Sequence, residues 1–275
     1  MAEFGDIKGC AGSGRVRSGL CMVFVLAVSV VFGAQMDGSA DLASSAGLTE
    51  ELAAVDVLRQ EGRYSEALER LQAVLGKHSA RAEILWRQSW TKVDLGEASD
   101  GEAAMRKFYE GALSDAKAAI AADERNARAH LVYAIAAGRL ALISPTRKKV
   151  ELSRKVKAHA DRALECDPDL AAAYHVRAMW HREVAAIGGL SRAVLRLVYG
   201  GLPEASYAAA VADFEKSIEL EEHVGDRLEL ARTCLAMGDP DRARRELERA
   251  LTLPVKVHQD RKHRETARQL LEEIK

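Results

Sequence analysis

The stretch from Arg227 to Pro254, RLELARTCLAMGDPDRARRELERALTLP, restricts the possible folds of this chain more than any other. Leu230, Ala231, Cys234 and Leu235 fall at the spacing that puts side chains on one face of a helix. Gly238 stops that helix. Asp239 is a residue type that caps the next one, and the φ of Pro240 suits a first helical turn. Ala243, Leu247, Ala250 and Leu251 then form a second stripe. Small residues at Ala231 and Ala243 allow the two helices to approach closely. A helical hairpin of this size cannot bury its own apolar face, so it needs neighbours built the same way.

The period of such a unit, about 34 residues, is that of a tetratricopeptide repeat, and the chain supplies further copies. Leu48 to Ala80 holds Leu52, Val55 and Leu58, a turn at Gly62, then Tyr64, Ala67, Leu71 and Val74. A second, stretched unit pairs a helix at Arg81 to Leu95 with a long one at Glu102 to Ala122. A third pairs a helix from Ala127 with one at Arg147 to Cys166. A fourth has helices at Ala172 to Ile187 and Tyr207 to Glu221, separated by an insertion at about 188–205. After the fifth unit, Gln259 to Ile274 forms a charged helix suited to capping the array. The expected fold is therefore all-α: a tetratricopeptide-like helical-hairpin solenoid of about five units over 48–275 plus a C-terminal capping helix. Five Pro in 275 residues and 5% aromatics agree with helix and offer little hairpin chemistry.

The first 34 residues differ. Lys8, Arg15 and Arg17 precede an apolar run from Leu20 to Phe32, followed by the small Gly33 and Ala34. That order reads as a signal peptide, or as an N-terminal membrane anchor if retained. The run is short for a spanning helix, which takes about 20 residues. The expected location is export to the periplasm, with membrane anchoring as the alternative. Gln35 to Gly47 has no apolar period and reads as a flexible linker. Cys166 and Cys234 remain beyond the signal, and buried thiols are expected rather than a disulfide.

Several function classes find no support. A formal net charge of −1 gives no reason to expect nucleic acid. The Gly pairs of GGLSRAVLRLVYGGLP have no following Gly-Lys-Ser/Thr and no preceding strand, so they make no phosphate loop. His175 and His181 are six apart, not the three or four that put two metal ligands on one helix face. No nucleophile sits in a strand–turn–helix context. Neither an enzyme, a metal nor a cofactor is expected. Arg147, Lys148, Lys149, Arg154, Lys155 and Lys157 form a basic cluster. It reads as a solvated helix face, or as a surface for an acidic partner or lipid.

The irregular features carry a resemblance. The elongated second unit contains RKFYEGALSDAKAAIAADERNARAHLVYA. The helix AYHVRAMWHREVA precedes an insertion ending LVYGGLPEASYAAAVADFEKSIEL, and the last repeat closes in LTLP. In this order the chain, over roughly 82–275, resembles the regulator of microtubule dynamics family of tetratricopeptide-like proteins. The resemblance implies a helical repeat fold without enzymatic activity. Animal members are associated with microtubules, mitochondria and membrane contacts, which suggests a membrane-anchored adaptor. An exported chain would not meet tubulin.

Binding in such arrays falls on the concave side, lined by the first helix of each unit. Repeat positions two, five, nine and twelve, counted from Ala82, Ala127, Ala171 and Val224, include Trp86, Trp90, Leu131, Ile135, His175, Met179, Arg182, Leu228 and Arg232, and Arg139 joins this candidate groove as a possible charged point. This set reads as mostly apolar with scattered Arg. The Asn and Lys clamp that grips a peptide C-terminus is absent, since the only Asn is Asn126, in a turn. The groove suits a protein partner presenting an amphipathic helix, or a lipid tail with an anionic head. The apolar insertion from Leu190 to Leu197 is a natural plug for it, and a self-filled groove is the plainer reading. The expected function is a binding scaffold of the cell envelope, with a lipid-binding module as the alternative.

Overall fold

A computed structural model describes residues 38–78 and 81–274. The candidate signal or anchor at 1–34 and the start of the expected linker lie outside them. Twelve helices follow one another in the described residues: α1 (Gly38–Gln60), α2 (Tyr64–Leu75), α3 (Arg81–Glu97), α4 (Glu102–Ala122), α5 (Ala127–Leu142) and α6 (Thr146–Cys166), then α7 (Ala171–Ala185), α8 (Gly189–Tyr199), α9 (Tyr207–Leu220), α10 (Val224–Ala236), α11 (Pro240–Thr252) and α12 (His258–Glu273). The pairs α1/α2, α3/α4, α5/α6, α7/α9 and α10/α11 are the five expected hairpins. Each packs on the next, as a tetratricopeptide-like solenoid requires.

The punctuation works as its chemistry dictates. Gly238 adopts φ 80°, which only glycine enters without penalty. Its neighbour Asp239 accepts from the Arg242 amide at 2.9 Å, with Pro240 in the first turn of α11. Asn126 caps α5 by accepting from the Ala129 amide at 3.0 Å.

Two boundaries differ from expectation. Helix α1 starts at Gly38, so 38–47 is helical backbone where a loose linker was expected. The stretch GSADLASSAG has no Pro and no strong breaker, and it extends a helix whose buried stripe begins at Leu48. The insertion also contains a helix of its own, α8.

The core runs through the stack. Unit one buries Leu52, Val55, Leu71 and Val74 against Ile84 of α3. A central cluster joins α3 through α7, from Leu85 and Tyr109 to Trp180 and Val184. A C-terminal cluster gathers Ala178, Phe214, Leu228, Leu230, Leu247 and Ala267. Helix α7 contributes to both. The Tyr109 ring of α4 packs flush against Gly96 of α3: a Cβ on Gly96 would lie 2.4 Å from that ring. Gly96→Ala is expected to cost about 1–3 kcal/mol by forcing that buried ring aside, read as a lower urea midpoint with an unchanged slope. An unchanged midpoint would show that the ring yields freely.

Helix α12 does more than cap the end. It packs on α10 and α11, and Arg244 and Arg264 bind backbone carbonyls at this seam: Arg244 donates to Ile274 O at 2.7 Å, and Arg264 to Leu251 O at 2.9 Å. Its first turn also reaches the opposite end of the array. Gln259 Nε2 donates to the Tyr64 hydroxyl at 3.0 Å, and the His258 ring lies 3.3 Å from where a Gly62 Cβ would be. The stack thus curves until its first and last units touch.

Candidate functional site

The candidate groove residues divide by burial. Trp86, Leu131 and Leu228 are core side chains, 3%, 0% and 1% exposed, so they cannot line a binding surface. Trp86 is further enclosed by its own neighbours. Its indole N–H donates to Glu83 Oε2 at 3.0 Å, and the Arg87 guanidinium stacks 4.1 Å from the ring centre. Counting repeat positions misplaced these three, whose side chains pack into the core clusters between neighbouring helices. Trp90, Ile135, Arg139, His175, Met179 and Arg182 are half-buried, and Arg232 is exposed.

The polar members of the set are not scattered charges in an apolar trough. Each is tied to a carboxylate on a first helix. Arg139 on α5 pairs with Glu97 on α3 at 2.6 Å. His175 on α7 donates to Asp226 on α10 at 2.6 Å, and Arg182 pairs with Glu229 on α10. Arg232 reaches the same Glu229 along its own helix, at 2.7 Å. The ladder continues toward the first unit. Arg59 on α1 donates to Asp94 on α3 at 2.7 and 3.0 Å, and Arg87 pairs with Asp56 at 3.1 Å. Arg59 also lies 4.7 Å over the Trp90 ring. The expected mostly apolar groove is therefore a face stitched by ion pairs.

Burial tunes these carboxylates with different outcomes. At Asp94 it pushes the pKa up to about 6, against the opposing pull of Arg59. At Glu229 burial also pushes up, but the Arg182 guanidinium outweighs it and holds the carboxyl below the ordinary range. Asp226 sits where three helices meet: the Ser217 hydroxyl of α9 is 3.1 Å from it and 3.0 Å from Ala171 O of α7. Behind the ladder, Arg177 of α7 grips Asp213 of α9 through two bonds of 2.7 and 2.8 Å. These acids went unread in the sequence, although Asp94 and Asp226 carry a signal. Asp94 falls between Val93 and Leu95 and Asp226 in the helical register of Leu230, and a buried acid needs a partner.

The insertion does not plug this face. Leu190, Val194, Leu197 and Val198 of α8 are 83%, 50%, 87% and 59% exposed. None of the α8 side chains is buried. Among the described residues Cys234 and Cys166 are free thiols, the first buried and the second half-buried.

The family model described as Regulator of microtubule dynamics protein 1-3 matches residues 52–275. The chain belongs to the regulator of microtubule dynamics family. Regulator of microtubule dynamics protein 1 of Bos taurus is 26% identical over 82% of this chain and 71% of its own length. The protein of the same name from Caenorhabditis elegans is 26% identical over 77% of this chain and 93% of its own. Among solved structures, a thermophilic tetratricopeptide protein of Thermus thermophilus superposes with a TM-score of 0.60 at 20% identity. That match covers 80% of this chain and 98% of the other, and it shows the shared fold. Within this family member, α8 and the loop that returns to α9 occupy the insertion that first suggested the kinship.

Proposed function

We propose that this member of the family is a non-enzymatic scaffold of the cell envelope that holds a protein partner on the face of its first helices. One observation carries the reading. Four consecutive first helices each present a partly exposed side chain, Trp90, Ile135, Met179 and Arg232, above ion pairs that tie α1 to α3, α3 to α5 and α7 to α10. A surface fixed in advance loses little entropy on binding, which favours a specific partner. The carboxylates between the helices make the face poorly suited to an acyl chain. Export of the chain rests on its basic and apolar first 34 residues.

The test uses the full chain as bait in envelope extract. Met179→Gln keeps the length of a side chain that packs against the C-terminal cluster, and Arg232→Ala removes only a pair within one helix. A protein partner retained by the wild type should be lost about tenfold with either variant while thermal unfolding stays within about two degrees, the behaviour of contact residues. A partner held equally by both variants would move the interaction to another face.

A further inference from the structure

Helix α8 is built the wrong way round for a helix that only links two elements. Four of its apolar residues, Leu190, Val194, Leu197 and Val198, fall on one exposed stripe, which a packed helix turns inward. Here the opposite side faces the protein. Arg192 donates to Val184 O at 2.8 Å, and Leu195 and Tyr199 are the half-buried members. The arrangement is held in place. Arg154 of α6 donates to Gly201 O at 3.0 Å and also binds Tyr199 O, supplying a cation to the C-terminal carbonyls of α8. The helix is thus anchored with its apolar stripe presented outward.

The helix and the residues beside it in sequence carry only positive charge. From Val184 to Pro203 there is no Asp or Glu. Arg192 and Arg196 line a hollow of about 430 Å³ along one flank of α8, with Ala193 and Leu197. A second hollow, about 570 Å³, opens between α8 and the start of α6, beside Arg147 and Arg154. Glu151 borders it but is already paired with Lys148 at 3.2 Å and Lys155 at 2.6 Å. Arg147 and Lys149 are exposed and, among the described residues, have no ion-pair partner.

We infer that α8, together with the basic start of α6, docks the protein onto an anionic phospholipid surface, with the stripe entering the headgroup region and the exposed Arg196, Arg147 and Lys149 meeting phosphates. Exposed leucines flanked by cations on a short helix are the signature of a helix lying in the interface plane. Eleven residues span roughly 16 Å, about half the hydrocarbon thickness, so α8 lies on the membrane and does not cross it. Two features argue against a second copy of the chain. Four side chains offer well under the ~800 Å² per partner of a standard interface, and pairing two such helices would oppose arginine to arginine. This docking is independent of the partner on the first-helix face.

Hydrogen exchange on the full chain tests it, because the readout is local and an N-terminal apolar segment cannot mimic it. Amides of 189–199 should exchange about tenfold more slowly with vesicles containing phosphatidylserine, and unchanged with pure phosphatidylcholine. Raised salt should weaken the effect. Leu190→Glu with Leu197→Glu should abolish the protection while the other helices exchange as before; both side chains are exposed, so the fold does not depend on them. Equal exchange with and without anionic vesicles would overturn the proposal. So would protection that grows with protein concentration in the absence of lipid, which would identify a second copy as the occupant.

Discussion

Phe214→Ala is expected to destabilise the protein by about 3–5 kcal/mol, the usual cost of emptying a fully buried aromatic site. The ring is completely enclosed in the cluster shared by α7, α9, α10, α11 and α12, and it meets His175 edge-on at 5.6 Å. In a stacked array each unit depends on its neighbours, so the loss should not spread evenly. Helices α9 to α12 are expected to open first, and the bond from Gln259 to Tyr64 should break with them. Amides of α10 and α11 would then exchange faster than those of α3 and α5, and thermal unfolding should split into two steps. The central cluster around Tyr109 and Tyr133 does not include Phe214, so it should persist through the first step. A single transition at the wild-type midpoint would contradict both the burial and the modular coupling.

The hairpin pattern was legible because it depends on local spacing. Leu230, Ala231, Cys234, Ala243 and Leu247 repeat at helical intervals, and all five are buried in the structure. Turn chemistry at Gly238 and Asp239 is equally local. The candidate face was only partly legible. Whether a first-helix residue points into a seam or onto the surface depends on how each hairpin packs against the next. Such packing is a long-range property: Trp86, Leu131 and Leu228 are buried, whereas Trp90, Ile135 and Met179 are half-covered. The ion-pair ladder was hidden for the same reason, since Arg59 and Asp94 are 35 positions apart and His175 and Asp226 are 51 apart. The orientation of α8 was the largest surprise. Its apolar residues suggested a plug, but Arg154 and Arg192 tether it to the body and turn the stripe outward.

Asp94→Asn and His159→Phe are expected to tilt the dependence of stability on pH in opposite directions. Burial, with help from His130 and Lys155, pushes the His159 pKa down from its ordinary 6.5 to about 4. The ring stacks on Tyr133 at 3.8 Å, and its Nδ1 lies 2.9 Å from Nδ1 of His130. His130 Nε2 lies 3.0 Å from the Glu124 carbonyl and must donate there. In the neutral pair Nδ1 of His130 then accepts from His159. A base whose folded value is depressed stabilises the fold above its unfolded value, and that stability is lost as pH falls from 6.5 toward 4. The ring is only half-buried, so the loss should be about 1 kcal/mol after allowance for solvent screening. Asp94 works the other way. Burial raises its value from 3.8 to about 6, so the folded state binds the extra proton. Stability then rises as pH falls through that window, by about 2–3 kcal/mol. The two effects oppose each other in the wild type between about pH 6 and pH 4. Removing His159 should expose the acid-side gain, and removing Asp94 should leave the acid-side loss. Urea unfolding at about pH 7, 6, 5 and 4 reads both slopes, and parallel curves for the two variants and the wild type would show that neither group titrates as its surroundings require.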